Sequence, residues 1–323
     1  MLSGIKSIIE YNNQYTFLRE IKVDKSTSNK IKYVNLILAI LVVYRHAVNY
    51  TYYNITSRFV YWFEIFTMNI SDCANAIFFV LSAFLFYQNY DETKLKSKLK
   101  NRFSSLVIPF IIWNVIGYLY FQALALFPSL RQYYGGSITD FSFANIIMAV
   151  ISTDYNIATW FLKTLIVYTF VFPFLYPVVK NKKASFALLI VSIVLNIVML
   201  NKGDVVGCVC YYYLGMFAAI NYKDIVVKRY KKTTKIIAFI VFTITIVVTS
   251  LMFSRYSNHI MPIIRIIQVI SFWCMTDMLV FDSPILKLSK YTFLLYVSHS
   301  MVLEPIEKVL YIFLGDNNIW AFV

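Results

Sequence analysis

Long apolar runs follow one another along most of the chain, and they constrain the fold more than any other feature. Each run is 17–24 residues long, and short polar segments separate them. A helix needs about 20 apolar residues to cross the hydrocarbon core of a bilayer. The runs lie at residues 33–53, 73–90, 104–126, 159–179, 184–200, 205–221, 236–253, 262–281 and 291–314. They predict an all-α fold, a polytopic membrane helix bundle with about nine or ten transmembrane helices.

The composition excludes an ordinary water-soluble domain. Only 14% of the 323 residues are charged, whereas about a quarter are charged in a typical soluble protein. A net charge of +14 would suggest nucleic acid in a soluble protein. In a membrane protein the position of the charge matters more than its sum, and we expect no nucleic-acid partner. The four cysteines lack zinc-type spacing and are expected to fill helix interiors, so no metal site is predicted.

The chain shows no internal repeat and no linker between folded domains. The sequence therefore predicts a cytoplasmic N-terminal segment at residues 1–31 and one integral-membrane domain at 32–323. Two shorter apolar stretches, 59–68 and 140–152, could form re-entrant or interfacial helices.

The Lys and Arg residues are distributed unevenly between the two sides of this predicted bundle. Of the 30, 22 fall on one side and four on the other. The rich segments are 1–32, 91–103, 180–183, 222–235 and 282–290. The positive-inside rule then places the N-terminus in the cytoplasm and, with nine spans, the C-terminus outside. We expect a multi-pass protein of the cell membrane, with membrane lipid as its surroundings.

The first span carries the adjacent pair Arg45 and His46. Ionisable residues inside a bilayer are costly, so each is a functional candidate. A histidine can accept and return a proton near neutral pH, as the activation of a hydroxyl nucleophile requires. The alternative is a polar residue that bonds a neighbouring helix. Arg45 could pair with an acid such as Glu64 or Asp72, or extend toward the outer surface.

His299 and Lys163 are further ionisable residues within predicted spans. Counted along ideal helices, His46 lies roughly 20 Å from Tyr33 and His299 about 12 Å from Tyr291. This places His299 closer to the cytoplasm than His46. From the residues alone, a contact between helices is the favoured role for His299.

A basic run at residues 94–109 precedes the third span. It could be a topology signal that also attracts anionic lipid. It could instead bind the phosphates of a cytoplasmic anionic cofactor. Charge alone does not separate the two interpretations.

Six segments, taken in order, resemble the acyltransferase 3 family of integral-membrane acyltransferases. They extend from the first span to the last, so the resemblance covers nearly the whole chain beyond residue 31. The segments are KYVNLILAILVVYRHA (32–47), NAIFFVLSAFLFY (75–87), KNRFSSLVIPFIIWN (100–114), ATWFLKTLIVY (158–168), YYYLGMFAA (211–219) and LSKYTFLLYVSHSMV (288–302).

The resemblance implies an acyl-CoA donor and a carbohydrate acceptor, and we expect no metal cofactor. The acceptor in this family is usually a sugar hydroxyl of a surface polysaccharide or of its lipid-linked precursor. Acetyl-CoA is the expected donor, although another acyl-CoA could serve. The resemblance also implies a bacterial inner membrane and polysaccharide-assembly proteins as candidate partners.

The resemblance implies that His46 is the essential histidine of the first span. Family members commonly carry an Arg eleven positions earlier, where this chain has Asn35; Lys32, one turn before it, could supply the charge. Arg102 matches the first of a pair of arginines before the third span, and Ser105 stands at the second.

Other positions fit the family pattern and are expected to support the site or contact substrate. Ser82, Trp160 and His299 match, and Arg45 and Lys163 are added as ionisable neighbours. The Gly that usually follows Ser82 is replaced by Ala83, a change between two small residues.

On this resemblance we expect His46 to take the proton of the acceptor hydroxyl, while Arg102, Lys32 and the lysines of 94–100 hold the donor phosphates. A transiently acylated protein group that passes the acyl unit outward is an alternative within the same class. Two other functions stay open. One is a transporter or flippase of a glycan or glycolipid, and the other is an inactive assembly subunit.

Overall fold

The computed structural model describes residues 25–47, 58–128, 131, 142–199, 204–252, 258–279 and 284–314. Within these ranges every regular element is a helix. Five helical stretches of the described chain are long and apolar enough to cross a membrane: Tyr61–Tyr87, Glu92–Ala125, Ile157–Val179, Lys232–Met252 and Met261–Met278. The chain is therefore a multi-pass membrane protein with an all-α fold, as the apolar runs predict.

Fourteen α-helices make up most of the described residues. In chain order they are α1 Lys25–Ala47, α2 Arg58–Tyr87, α3 Leu95–Arg102, α4 Ile108–Ala125, α5 Phe143–Ser152, α6 Trp160–Val171, α7 Tyr176–Val179, α8 Lys182–Val198, α9 Asp204–Gly207, α10 Val209–Asn221, α11 Lys223–Val227, α12 Lys232–Met252, α13 Met261–Met275 and α14 Thr292–Leu314. Each predicted span overlaps at least one of these helices within the described residues, and the spans at 159–179 and 205–221 are each divided between two of them.

Short helical segments of other types join or extend the α-helices. A π-helical segment, Phe103–Val107, joins α3 to α4 without a break. The 3₁₀ segments are Glu92–Lys94, Ile157–Thr159, Phe172–Leu175, Asn258–Ile260, Thr276–Met278 and Pro284–Tyr291. The basic run is consequently the first part of a long helix, Glu92–Ala125, which is apolar enough to cross a membrane.

The two short apolar stretches have different outcomes. Residues 59–68 do not form a separate helix, because α2 runs unbroken from Arg58 to Tyr87 and contains no Gly or Pro that would end it. The expectation of an interfacial helix there was wrong. Residues 143–152 do form a separate helix, α5, whose length of about 15 Å is too short to span. Residues 140 and 141 lie outside the described ranges.

Helix α2 lies at the centre of the bundle, in contact with α1, α10, α12 and α13. Small residues let neighbouring backbones approach it closely, as is usual for helices packed in a membrane. The closest approach is at Gly215 of α10, where an added Cβ would clash with the carbonyl oxygen of Val80 and lie 2.8 Å from Ala83 Cβ. The small side chain at position 83 thus belongs to the contact between α2 and α10.

Substitution of Gly215 by alanine tests this contact. Alanine normally stabilises a helix relative to glycine, but here its methyl group meets fixed backbone. We expect the free energy of unfolding to fall by about 1–3 kcal/mol. Gly207→Ala is the matched control, since nothing lies within 4 Å of its added Cβ. Thermal denaturation of both variants in detergent gives the comparison, and an equal Tm for the two would contradict the packing described.

The first and last spans are direct neighbours, because α14 packs along α1. The 3₁₀ segment Pro284–Tyr291 also contacts α1. This arrangement sets the ionisable residues near the end of α1 against the N-terminal part of α14.

Candidate active site

Two histidines from opposite ends of the sequence lie side by side. His46 is the penultimate residue of α1, and His299 is in the second turn of α14. Their ring centroids are 5.0 Å apart, with the ring planes inclined by 42°. His299 is buried, with 3% of its surface exposed, whereas His46 is exposed at the surface of the described structure. The pair therefore joins a buried imidazole to one that a substrate can reach.

The hydrogen bonds of His299 indicate which of its nitrogens carries a proton. Its Nδ1 lies 2.6 Å from the carbonyl oxygen of Tyr296, and a carbonyl can only accept. Nδ1 therefore donates, so Nε2 of the neutral ring is an acceptor. Nε2 is buried and has no hydrogen-bond partner within the described residues. An unpartnered buried acceptor beside His46 is unusual, because buried polar atoms are generally hydrogen-bonded.

The difference in depth between the two histidine rings is smaller than the helix count predicted. Counting from Tyr33 and Tyr291 placed His299 about 8 Å closer to the cytoplasm. The ring centroids are 5.0 Å apart, so the two rings differ in depth by no more than 5.0 Å.

A cluster of charges adjoins the histidine pair. Arg45 Nε donates to Asp72 Oδ1 at 2.7 Å, and Arg265 Nη2 donates to Asp72 Oδ2 at 3.3 Å. Arg265 also donates to the Asn69 carbonyl and to Gln268. Asp72 is thus the acid that pairs with Arg45, one of the two candidates. Two guanidinium groups share one carboxylate, which leaves a surplus positive charge.

Glu64, the other candidate partner of Arg45, is buried on α2. Both of its carboxylate oxygens lack a hydrogen-bond partner among the described residues. One turn later, Thr67 accepts a hydrogen bond of 3.1 Å from the Tyr44 hydroxyl. This bond fixes the end of α1 against α2 just before Arg45.

An asparagine that the sequence analysis missed, Asn156, forms hydrogen bonds to α14 on both sides of His299 in the sequence. Asn156, in the turn before α6, donates to the Val297 carbonyl at 3.1 Å and accepts from the Ser300 hydroxyl at 3.1 Å. Its own carbonyl accepts from Thr159, which also bonds Asn114 of α4 at 3.0 Å. The network ties α4, α6 and α14 together. An amide between two apolar stretches was the only signal in the sequence.

Polar groups also accumulate at the predicted cytoplasmic end of α2. The guanidinium carbon of Arg102 lies 5.5 Å from the Phe86 ring centroid. Lys98 donates to the Phe86 carbonyl at 2.7 Å and is buried. The Tyr87 hydroxyl and the Gln88 side-chain amide are buried without hydrogen-bond partners in the described part of the chain. Arg102 therefore adjoins polar groups that a ligand could satisfy.

Comparison with protein families decides the identity. A family model described as an acyltransferase domain, that of acyltransferase 3, matches residues 29–323. The chain belongs to the acyltransferase 3 family. It is accordingly a membrane acyltransferase. Comparisons with curated proteins and with solved structures give no match.

The residues assigned to donor binding by analogy with the acyltransferase 3 family lie on the predicted cytoplasmic half. Lys32 and Asn35 are half-buried on α1, and Asn35 is about 16 Å along the helix from His46. Arg102 ends α3. Their roles in donor binding stay predictions.

The remaining acyltransferase 3 positions surround the histidine pair at different distances. Trp160 packs against Phe79 and Phe161, with ring centroids 6.4 and 6.2 Å away. Phe161 in turn contacts Tyr296, whose hydroxyl donates to the Ala158 carbonyl. Trp160 is therefore separated from the Tyr296–His299 turn by one aromatic ring.

For Ser82 and Lys163 the structure shows no contact with the histidine pair among the described residues. Ser82 is half-buried on α2. Lys163 Nζ donates to the Ile151 carbonyl at 2.7 Å, at the C-terminal end of α5. A cation at that end of a helix satisfies free carbonyl groups, so this contact anchors the short helix α5 to α6.

Proposed function

We propose that this chain transfers an acyl group, with acetyl as the expected one, from acyl-CoA to a hydroxyl of a surface polysaccharide or of its lipid-linked precursor. Family membership supports acyl transfer in general. The observation that carries the proposal is the contact between His46 and His299, which sets a reachable imidazole against a buried, unpartnered acceptor.

In the proposed reaction His46 acts as the general base. It takes the proton of the acceptor hydroxyl while the oxygen forms a bond to the thioester carbonyl carbon. When the tetrahedral intermediate collapses, the carbon–sulfur bond breaks. His46 then returns the proton to the departing thiolate. The products are the acyl ester and free CoA.

His299 positions His46 in this mechanism. The Nε2 of His299 is an acceptor, so it suits an N–H bond from His46, directly or through one water molecule. Such a bond would fix the His46 ring and stabilise its protonated form, as the carboxylate does in a catalytic triad. The surplus charge of the Arg45–Asp72–Arg265 cluster would favour the negative charge that develops on the carbonyl oxygen.

The donor enters from the cytoplasm in this proposal. The positive-inside rule places Arg102 and the lysines of 94–100 on that side. The unpartnered Tyr87 hydroxyl and Gln88 amide support a binding route there, because the pantetheine arm of CoA carries amides that would satisfy them. The acceptor reaches His46 from the outer side.

Replacing Arg102 by glutamine tests the donor site. The substitution removes a charged donor of hydrogen bonds to phosphate, so we expect the KM for acyl-CoA to rise about tenfold with little change in kcat. Lys183→Gln is the control, since Lys183 is exposed on another predicted cytoplasmic segment. Steady-state kinetics of the purified variants decide. An unchanged KM in Arg102→Gln would exclude Arg102 from donor binding.

The transfer itself is tested with the purified chain in lipid nanodiscs. Acetyl-CoA is supplied with a carbohydrate acceptor extracted from the producing cells, and release of the CoA thiol is followed. We expect release that requires the acceptor and that leaves the acyl group on the carbohydrate. Absence of both with acetyl-, propionyl- and succinyl-CoA would contradict the proposed reaction.

A further inference from the structure

A cavity of about 610 Å³ opens at the predicted cytoplasmic face, away from the histidine pair. Its walls come from three separate parts of the chain: the start of α1, the segment before α12 with its first turn, and the end of the eighth span. The lining residues are Lys25, Ser26, Asn29, Arg229, Tyr230, Lys235, Asp277 and Leu279. The volume is in the range of small-ligand sites, about 300–1,000 Å³.

The lining of this cavity is strongly basic. It contains Lys25, Arg229 and Lys235, and Asp277 is the only acid among the eight residues. The carboxylate of Asp277 already pairs with buried Lys30 at 2.7 Å. Since Lys30 neutralises Asp277, the other three cations leave the cavity with a positive charge. Ser26 and Asn29 add polar groups that suit an oxyanion.

Asp277 fixes the cationic side chains of the cavity in place, so the cavity differs from a surface cluster of unconnected lysines. It is buried, and it accepts from Arg229 at 3.0 Å and from the Tyr230 backbone N–H at 2.9 Å. Arg229 also bonds Ser26. These contacts hold the Arg229 guanidinium between α1 and the end of the eighth span, so part of the cost of ordering it is met without a ligand.

The floor of the cavity separates it from the interior of the bundle. Lys30 is 3% exposed, donates to the Trp273 carbonyl at 2.7 Å, and lies 3.8 Å from the Trp273 ring centroid. Along α1, Lys25 and His46 are about 31 Å apart. A ligand here therefore binds apart from the proposed reaction centre.

We infer that this cavity binds a phosphate-bearing anion at the cytoplasmic face. Arg and Lys together provide the forked and point-charge donors that phosphate oxygens accept. Basic pockets between membrane helices on this side bind lipid head groups by the same chemistry. The phosphate can belong to an anionic lipid of the inner leaflet or to a soluble ligand, and the two sources are distinguished by experiment.

The test uses a double variant, Lys25→Gln/Lys235→Gln, in the full chain. Lys231→Gln/Lys232→Gln is the matched control, because it removes two charges from the same surface but from residues outside the lining. In one arm, inorganic pyrophosphate is titrated by calorimetry into protein in phosphatidylcholine nanodiscs. In the other arm, retention of phosphatidylglycerol is measured by native mass spectrometry. Neither arm requires acyl transfer, so failure here leaves the proposed function untouched.

We expect binding in at least one arm, weakened about 25-fold in Lys25→Gln/Lys235→Gln, at about fivefold for each of the two charges removed. The control should bind as the unmodified chain does. Loss of pyrophosphate binding identifies a soluble ligand, and loss of phosphatidylglycerol retention identifies a lipid. The inference is overturned if neither probe binds, or if both double variants bind equally well.

Discussion

Replacing His46 by alanine is expected to lower the rate of acyl transfer by about 10²–10⁴-fold, the usual contribution of a general base. The variant keeps the neighbours that fix the end of α1, including the Arg45–Asp72 ion pair and the bond from Tyr44 to Thr67. Expression and thermal stability should therefore change little. The rate is measured with purified protein as acceptor-dependent release of CoA.

His259 provides the control for this substitution. It is exposed near the outer end of α13, where its Nδ1 contacts the Ile197 carbonyl, and His259→Ala should transfer at the normal rate. His299→Gln should lower kcat more than it raises KM, because it disturbs the orientation of His46 rather than substrate binding. Normal transfer by His46→Ala would exclude it as the base. A normal kcat in His299→Gln would exclude a positioning role for His299 but would leave the role of His46 as the base unaffected.

The second large effect is expected on stability, at Asp72. This carboxylate holds Arg45 and Arg265, so Asp72→Asn leaves two guanidinium groups without a counter-charge. Removing one partner of a buried pair generally costs about 3–5 kcal/mol. The side chain of Asp72 is 33% exposed, which screens part of its charge. We therefore expect the free energy of unfolding to fall by about 2–3 kcal/mol.

Two further variants identify the cause of this loss. Asp224→Asn removes an exposed acid from α11 and should leave the Tm unchanged. Asp72→Asn/Arg45→Gln should recover part of the loss, because it removes one of the two unpaired cations. Thermal denaturation in detergent compares all three. If Asp72→Asn is as stable as Asp224→Asn, the charge cluster does not stabilise the bundle.

Hydropathy predicted the helices well because the bilayer imposes one rule on every span. Each run must be apolar and must satisfy its own backbone hydrogen bonds. The errors in the predicted helix boundaries follow from the same rule. A window that scores apolar residues cannot tell whether the stretch 59–68 continues into the next run, and α2 shows that it does. Nor could charge show that the basic run before α4 is helical.

The site was predictable only in part. His46 stands out as an ionisable residue within a span, and Asp72 was one of two candidate partners for Arg45. The contact of His46 with His299 depends on α1 packing beside α14, and one sequence contains no information on that neighbour relation. The same holds for Arg265, which reaches Asp72 from α13, and for Asn156, which bonds α14 from the turn before α6.

The most direct test of the proposed acyl transfer compares surface glycan from three strains by mass spectrometry. The strains carry the intact gene, a deletion, and the deletion complemented with His46→Ala. We predict a mass increment of one acyl group on the glycan of the intact strain, absent from the other two, while the glycan reaches the surface in all three. The same increment in all three strains, or loss of the surface glycan itself in the deletion, would contradict the account.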